Sequence, residues 1–135
     1  MTTAAQLAKV AGLAYQSRKE YESAIVSYQT SKILQEKVGI DFTYLEASYK
    51  IAKCTKKQGN FQLAMNLFKS NVKDLVSQQD DENSYDLLVA NMIEIADCYL
   101  ATFRYAEAEK YLKEIHKQYI KEKKKFARVL TNEAW

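Results

Sequence analysis

The sequence predicts an all-α chain, folded as a row of stacked helical hairpins. Its 135 residues include no proline and only three glycines, so little in the chain interrupts helices. Valine, isoleucine and threonine do not alternate with polar residues in short runs bounded by turns, as they do in strands. A chain of this length can bury one continuous core, and we therefore expect residues 1–135 to form a single domain.

One combination of positions, which includes an aromatic residue followed three positions later by alanine, recurs three times along the chain. Its copies begin at Tyr21, Phe61 and Tyr105, and their alanines lie 40 and 44 residues apart. Three further positions correspond in every copy: a small residue, a mostly aromatic position and a large apolar one. In that order they are Gly12, Ala52 and Ala96; Tyr15, Thr55 and Tyr99; and Tyr28, Phe68 and Leu112. Agreement at four positions in three copies indicates an internal repeat.

The small residues have a packing reason. Two antiparallel helices joined by a tight turn approach closely only where neither carries a large side chain. The expected crossings are Gly12 with Ala24, Ala52 with Ala64, and Ala96 with Ala108. The aromatic residues beside them are expected to fill the space between one hairpin and the next.

These positions resemble the tetratricopeptide repeat (TPR), over roughly residues 4–122. The usual TPR period is about 34 residues, and the periods of 40 and 44 are similar to the long-helix variant found in kinesin light chains. The resemblance implies an α-solenoid, a right-handed superhelix of three hairpins plus a C-terminal helix. Repeat one is expected at about 4–38, repeat two at 42–79, repeat three at 83–122, and the C-terminal partial helix at 124–135.

Capping signals predict several of the helix ends. Thr3 with Gln6, and Thr43 with Glu46, fit capping boxes at the starts of the first and third helices. Gly39 suits a left-handed cap after the second helix. The polar stretch 78–83 is predicted to be a linker whose acids favour the start of the next helix.

The end of the chain is predicted to cover the last hairpin. Phe126, Val129 and Leu130 should lie on a short helix that packs against the final hairpin, and Trp135 stands where a fourth repeat would begin. We therefore expect the chain to be part of a longer array, or its C-terminal end to be covered by further repeats or by self-association. The lysine run 121–125 is expected to be a solvated helix end.

Composition argues against catalysis. No phosphate-binding glycine loop or HExxH motif occurs, and His116 is the only histidine, so we expect no catalytic, metal or cofactor-binding residue. Cys54 and Cys98 occupy the same repeat position and are expected to be small buried residues in a reducing compartment. No membrane span or signal peptide is predicted, and the expected location is the cytoplasm, with the nucleus as the alternative.

The resemblance implies a groove lined by the first helix of each hairpin, which binds a peptide or helix of another protein. The partner-binding residues carried over from it are Lys9, Leu13, Gln16, Tyr49, Lys53, Lys56, Lys57 and Asp97. The basic centre of the groove, at Lys53, Lys56 and Lys57, favours an acidic or extended partner segment. The alternative for these lysines is a solvated helix end stabilised by the helix dipole.

Two other classes of function stay open. The chain could be a structural subunit of a larger helical-repeat assembly, such as a proteasome-lid-like or vesicle-adaptor protein. A basic RNA-binding module is less favoured at a net charge of only +3. It would use Lys113, Lys117, Lys121, Lys123, Lys124, Lys125 and Arg128.

Overall fold

The structure is a computed structural model that describes residues 3–77 and 82–134. Side chains are described for residues 3–77, 83–117, 120 and 121. The described residues form six helices and contain no strand. The helices are α1 (Ala4–Ser17), α2 (Tyr21–Glu36), α3 (Phe42–Lys57), α4 (Phe61–Val76), α5 (Glu82–Ala101) and α6 (Tyr105–Ala134).

Each helix packs on the next one in the chain. The pairs α1–α2, α3–α4 and α5–α6 are antiparallel hairpins joined by short turns, and the contacts α2–α3 and α4–α5 stack one hairpin on the next. In addition, α3 touches α5 directly. The described chain is therefore the predicted row of three stacked helical hairpins.

All three hairpins turn in the same way. The same turn position holds Lys19, Gly59 and Phe103, and each has a positive φ, of 62°, 86° and 62° respectively. The amide after this residue donates to a carbonyl five residues back, with N–O distances of 2.8 to 3.3 Å. This is the Schellman arrangement, in which a left-handed residue ends the first helix. The absence of glycine from two of the three turns therefore does not change their geometry.

The predicted crossings are closely packed. The five alanines at these positions are at most 1% exposed: Ala24, Ala52, Ala64, Ala96 and Ala108. At Gly12 the close neighbour is the Tyr28 ring, because a Cβ added to this glycine would stand 2.6 Å from Tyr28 Cε1. The small residue of repeat one therefore makes room for the first buried aromatic residue between hairpins.

The capping predictions have mixed outcomes. Thr3 and Gln6 form the expected capping box, with both reciprocal hydrogen bonds present. The box predicted at Thr43 is wrong, because the carboxylate of Asp41 accepts from the Tyr44 amide at 3.2 Å and caps α3 instead. An aspartate at this position also gains from the positive end of the helix dipole.

Two helix boundaries differ from the predictions near the linker and the C-terminus. Helix α5 begins at Glu82, within the predicted linker, and residues 78–81 lie outside the described part of the chain. The separate helix predicted at 124–135 is wrong, because α6 runs without a break from Tyr105 to Ala134.

The reason for the unbroken helix lies in the sequence of its second half. Residues 121–128 contain lysine, glutamate, alanine and arginine and no proline or glycine, so good helix formers continue the helix. An unbroken helix cannot fold back onto its own earlier turns, so residues 126–130 do not form the separate capping helix that was predicted. The side chains of Phe126, Val129 and Leu130 lie outside those that the structure describes, and so does Trp135.

Candidate binding face on the first helices

The first helices of the three hairpins are joined by ion pairs between repeats. On α1, the Lys9 ammonium pairs with the Glu46 carboxylate of α3. On α3, Lys56 pairs with Glu94 of α5, with an Nζ–Oε2 distance of 2.7 Å, and also with Asp97. We call the surface formed by α1, α3 and α5 the A-helix face. Its ion pairs hold successive repeats side by side.

Lys56 is more enclosed than Lys9, the other ion-paired lysine of the predicted site. Its side chain is 17% exposed and that of Glu94 is 15% exposed. Burial alone would lower the pKa of Lys56, but the hydrogen bonds that it donates to Asp97 and Glu94 more than offset this, and its pKa is raised. Lys56 is thus a charged cross-link between α3 and α5. Its charge is already balanced inside the protein, in contrast to the predicted open basic centre.

Tyr49 and Lys53 lie one turn apart on α3. The Tyr49 ring is partly buried and packs against Phe68, with ring centroids 6.0 Å apart. Burial raises the pKa of the Tyr49 hydroxyl. The Lys53 ammonium stands 5.6 Å from the centroid of the same ring, a distance typical of a cation–π contact. This pair therefore joins the core to the surface of the A-helix face.

The other predicted residues have different surroundings. Lys57 is exposed in the last turn of α3, where a cation is favoured by the helix dipole. Leu13 is 39% exposed on α1. Gln16 accepts a hydrogen bond from the Tyr28 hydroxyl at 2.7 Å, so this side chain holds a core residue in place.

The structure therefore divides the predicted site into two groups. Lys9, Gln16, Lys56 and Asp97 are engaged in internal contacts, whereas Leu13, Tyr49, Lys53 and Lys57 keep surface that a partner could touch. Sequence reasoning missed Glu94 as the partner of Lys56. The available signal was spacing, since the two ion pairs join opposite charges 37 and 38 residues apart, close to one repeat period.

The cysteines lie in the core. Cys54 and Cys98 are free and fully buried, as the repeat position predicted. Burial raises the pKa of both thiols, which favours the unreactive protonated form. Among the described residues, no group of three or more histidine, cysteine, aspartate or glutamate side chains is placed to hold a metal ion. None of the described helices has both the length and the apolar character to cross a membrane.

The fold is that of the TPR-like helical-repeat proteins. No family model and no curated protein matches the sequence. Two crystal structures from Podosopora anserina, described as a kinesin light chain with nearly identical TPR-like repeats, are similar to the chain. The first has a TM-score of 0.70 at 17% identity, and the match covers 90% of this chain and 58% of the solved chain. The second has a TM-score of 0.65 at 19% identity, and the match covers 84% of this chain and 55% of the solved chain.

These comparisons confirm the predicted resemblance at the level of the fold. The chain spans a little over half the length of the two solved chains. Both solved chains are described by TPR-like repeats and by the kinesin light chain name, in agreement with the resemblance that the long repeat periods indicated. At identities below one in five residues, the likeness concerns the arrangement of helices, and the binding residues have to be argued from this chain alone.

Proposed function

We propose that this protein is a non-catalytic scaffold that binds a segment of another protein along the A-helix face. The observation that carries the proposal is the continuity of that face, since ion pairs join α1 to α3 and α3 to α5. TPR-like arrays present long surfaces of this kind, on which an extended peptide or a helix can contact several repeats at once.

The chemistry of the face favours an acidic partner segment. None of the ion pairs among the described side chains uses Lys53 or Lys57, so both ammonium groups can bind carboxylates. Lys9 and Lys56 are already balanced by carboxylates of the chain itself. Leu13 and the exposed part of Tyr49 add apolar contact area beside these charges.

Panning a library of random peptides against the immobilised protein would test this proposal. We expect the enriched peptides to be rich in aspartate and glutamate, and Lys53→Glu with Lys57→Glu to weaken their binding at least about tenfold. The control reverses two exposed lysines on second helices, Lys73→Glu with Lys110→Glu, and should leave binding within about twofold.

Two outcomes would contradict the proposal. Equal losses in the site and control variants would indicate a general charge effect in place of a site. A steep dependence on salt, with nucleic acid competing for the same surface, would indicate phosphate contacts and the RNA-binding alternative.

A second candidate function, a structural subunit of a larger helical-repeat assembly, is favoured by a different observation. Large apolar side chains are exposed at both ends of the row of hairpins, Leu7 and Val10 on α1 and Ile93 and Leu112 on the last hairpin. Exposed apolar side chains clustered in this way are typical of interaction surfaces.

A further inference from the structure

The repeat register allows the two ends of the row to be compared with its internal junctions. A residue of repeat one has its equivalent 40 positions later in repeat two, and that residue has its equivalent 44 positions later in repeat three. At each internal junction the first helix of one repeat docks on the hairpin before it, α3 on α1–α2 and α5 on α3–α4. We call the surface of a hairpin that accepts the next repeat its receiving side, and the surface of the first helix that packs on it the docking side. Within the described residues, no helix packs on the receiving side of α5–α6, and the docking side of α1 packs on no hairpin.

The receiving side of the last hairpin is an open apolar groove. It has a volume of about 590 Å³ and continues into a second depression of about 400 Å³ beside Leu100. We call it the end groove, and its lining residues are Asp86, Val89, Ala90, Ile93, Leu112, Ile115 and His116. Leu112 is 42% exposed, whereas its equivalents Tyr28 and Phe68 are fully buried beneath the following repeat. The end groove thus corresponds to the surfaces that α3 and α5 cover at the internal junctions, and no described helix covers it.

The docking side of α1 is apolar and exposed as well. We call Leu7, Val10 and Ala14 the leading face, since they occupy the positions by which α3 and α5 dock. Leu7 is 61% exposed, whereas its equivalents Ala47 and Asn91 are fully buried. Ala14 is exposed, whereas its equivalents Cys54 and Cys98 are fully buried.

The register also shows which side chains would meet if the leading face entered the end groove. At the junction between repeats two and three, Lys56 pairs with Glu94. The equivalent residues at the two ends of the row are Leu100, 41% exposed, and Val10, 59% exposed. An internal ion pair is thus replaced by two apolar side chains, one at each end.

A buried polar pair of the same junction is replaced in the same way. Asn71 donates to Asn91 with an Nδ2–Oδ1 distance of 3.0 Å, and both side chains are buried. Their equivalents at the ends of the row are Ile115, which lines the end groove and is 6% exposed, and Leu7, which is 61% exposed. Two positions on α1 and two on the last hairpin are therefore apolar where an internal junction is polar, which makes the two ends complementary to each other.

This complementarity selects the occupant of the groove. Were a helix like α3 or α5 to enter the end groove, it would place Lys50 or Glu94 against Leu100, and burying an unpaired charge is costly. The leading face places Val10 there. We infer that the end groove binds α1 of a second copy of this chain, in the register of the internal junctions.

This contact would be head-to-tail, because it joins two different surfaces of the same molecule. Such a heterologous contact leaves one free end groove and one free leading face, so further copies can add. The interface lies at the ends of the row and is centred on residues outside the partner-binding set proposed above. Self-association and peptide binding can therefore fail independently.

Sedimentation velocity from about 1 μM to about 1 mM would test the inference on the intact chain. The wild-type protein should increase in mass with concentration, whereas Val10→Glu and Leu100→Lys should each stay monomeric. An equimolar mixture of the two variants should associate, because the leading face of Leu100→Lys and the end groove of Val10→Glu are unaltered. The two altered surfaces carry opposite charges and can also pair, so the mixture should grow beyond a 1:1 dimer. The double variant should regain self-association through an ion pair like that of Lys56 with Glu94.

Matched controls use exposed apolar residues away from both ends, Val26→Glu on α2 and Leu63→Lys on α4. Both should associate like the wild type. At a concentration at which the wild type is monomeric, every variant should keep the wild-type melting temperature, since all four side chains are exposed. Lys53→Glu with Lys57→Glu should also leave self-association unchanged.

Several results would overturn the inference. A wild-type protein that is monomeric at every concentration would mean that the end groove receives some other helix, such as a further repeat of a longer chain. If the Val10→Glu protein still self-associates and only the Leu100→Lys protein stays monomeric, the contact is a symmetric one between two end grooves. A mixture of the two variants that stays monomeric would exclude the head-to-tail register.

Discussion

At the scale of single residues, the turn between the two helices of each hairpin has a left-handed backbone conformation that is strained when the residue is not glycine. Lys19, Gly59 and Phe103 share a left-handed conformation, although only one of them is glycine. A residue with a Cβ pays roughly 1–2 kcal/mol for this conformation, whereas glycine does not. The Schellman hydrogen bonds that end the first helix of each hairpin hold the strained residue in place.

Replacing the strained lysine should stabilise the protein. We expect Lys19→Gly to raise the free energy of unfolding by about 1 kcal/mol, as measured by urea denaturation. The converse control is Gly59→Ala, which should lower the free energy of unfolding by about the same amount. That loss would come from the backbone alone, since no atom lies within 4 Å of a Cβ added at Gly59. A destabilised Lys19→Gly protein would contradict the assignment of strain to this turn.

At the scale of helices, polar contacts between repeats join α3 to its neighbours. Lys56 reaches from α3 to Glu94 and Asp97 of α5, and Lys9 reaches from α1 to Glu46 of α3. Asn71 and Asn91 join α4 to α5 in the core, where Asn91 also donates to the Leu87 carbonyl at 2.8 Å. Because buried polar groups need partners, these contacts favour one register of stacking over others.

Removing the lysine of the best-enclosed pair should destabilise the stack. We expect Lys56→Met to lower the free energy of unfolding by about 1–3 kcal/mol, because the enclosed Glu94 carboxylate loses its partner. The control is Lys113→Met, whose pair with Glu109 is exposed and should contribute at most about 0.5 kcal/mol. Adding Glu94→Met to Lys56→Met should recover part of the loss. Equal effects at Lys56 and Lys113 would show that the cross-link does not hold the repeats together.

At the scale of the whole molecule, buried tyrosines make the stability of the stack depend on pH. Tyr28 is fully buried where α2 meets α3, and Tyr111 is partly buried against the clusters formed by α3, α4, α5 and α6. Burial raises the pKa of each hydroxyl to about 12, with smaller contributions from Cys54 and Glu46 at Tyr28 and from Tyr99 and Glu114 at Tyr111. The folded state therefore resists ionisation that the unfolded chain permits at its ordinary pKa of 10.0.

The sign of this linkage predicts alkaline destabilisation. The stabilisation should be complete below about pH 10 and should be lost as the pH rises towards about 12, because the unfolded state releases its phenolic protons first. Urea midpoints should fall across this range, and Tyr28→Phe should fall less steeply than the wild type. Deprotonation of Lys56, whose pKa is also raised, acts in the same direction. Identical slopes for the wild type and Tyr28→Phe would show that Tyr28 contributes nothing to the alkaline destabilisation.

Much of the fold could be predicted from the spacing of a few residues. Small residues such as Ala52 and Ala64, with aromatic residues at constant offsets, predicted the three hairpins and the places where they cross, and these are fully buried. Contacts within a hairpin join residues close in sequence, so local spacing is enough to predict them. The same register, read at the two ends of the row, points to the end groove and the leading face.

The candidate site was less predictable. The sequence placed Lys56 on the A-helix face beside Lys53 and Lys57, and its pairing with Glu94 was not predicted. Gln16 was placed in the partner-binding set, and the hydrogen bond that it accepts from the Tyr28 hydroxyl was not predicted. Both outcomes depend on side chains brought together by folding, which neighbours in the sequence do not reveal.

By itself, the sequence determined an all-α chain of repeated hairpins, their register and the identity of their core positions, since each follows from periodic placement of small, aromatic and apolar residues. Only the tertiary structure decided which charges are balanced, that Asp41 caps α3, and that Lys19 and Phe103 adopt a glycine-like conformation. The physical reason is that hydrogen bonds, ion pairs and turn conformations depend on the positions of particular atoms to within a few ångströms, whereas a periodic pattern determines only which face of a helix is buried.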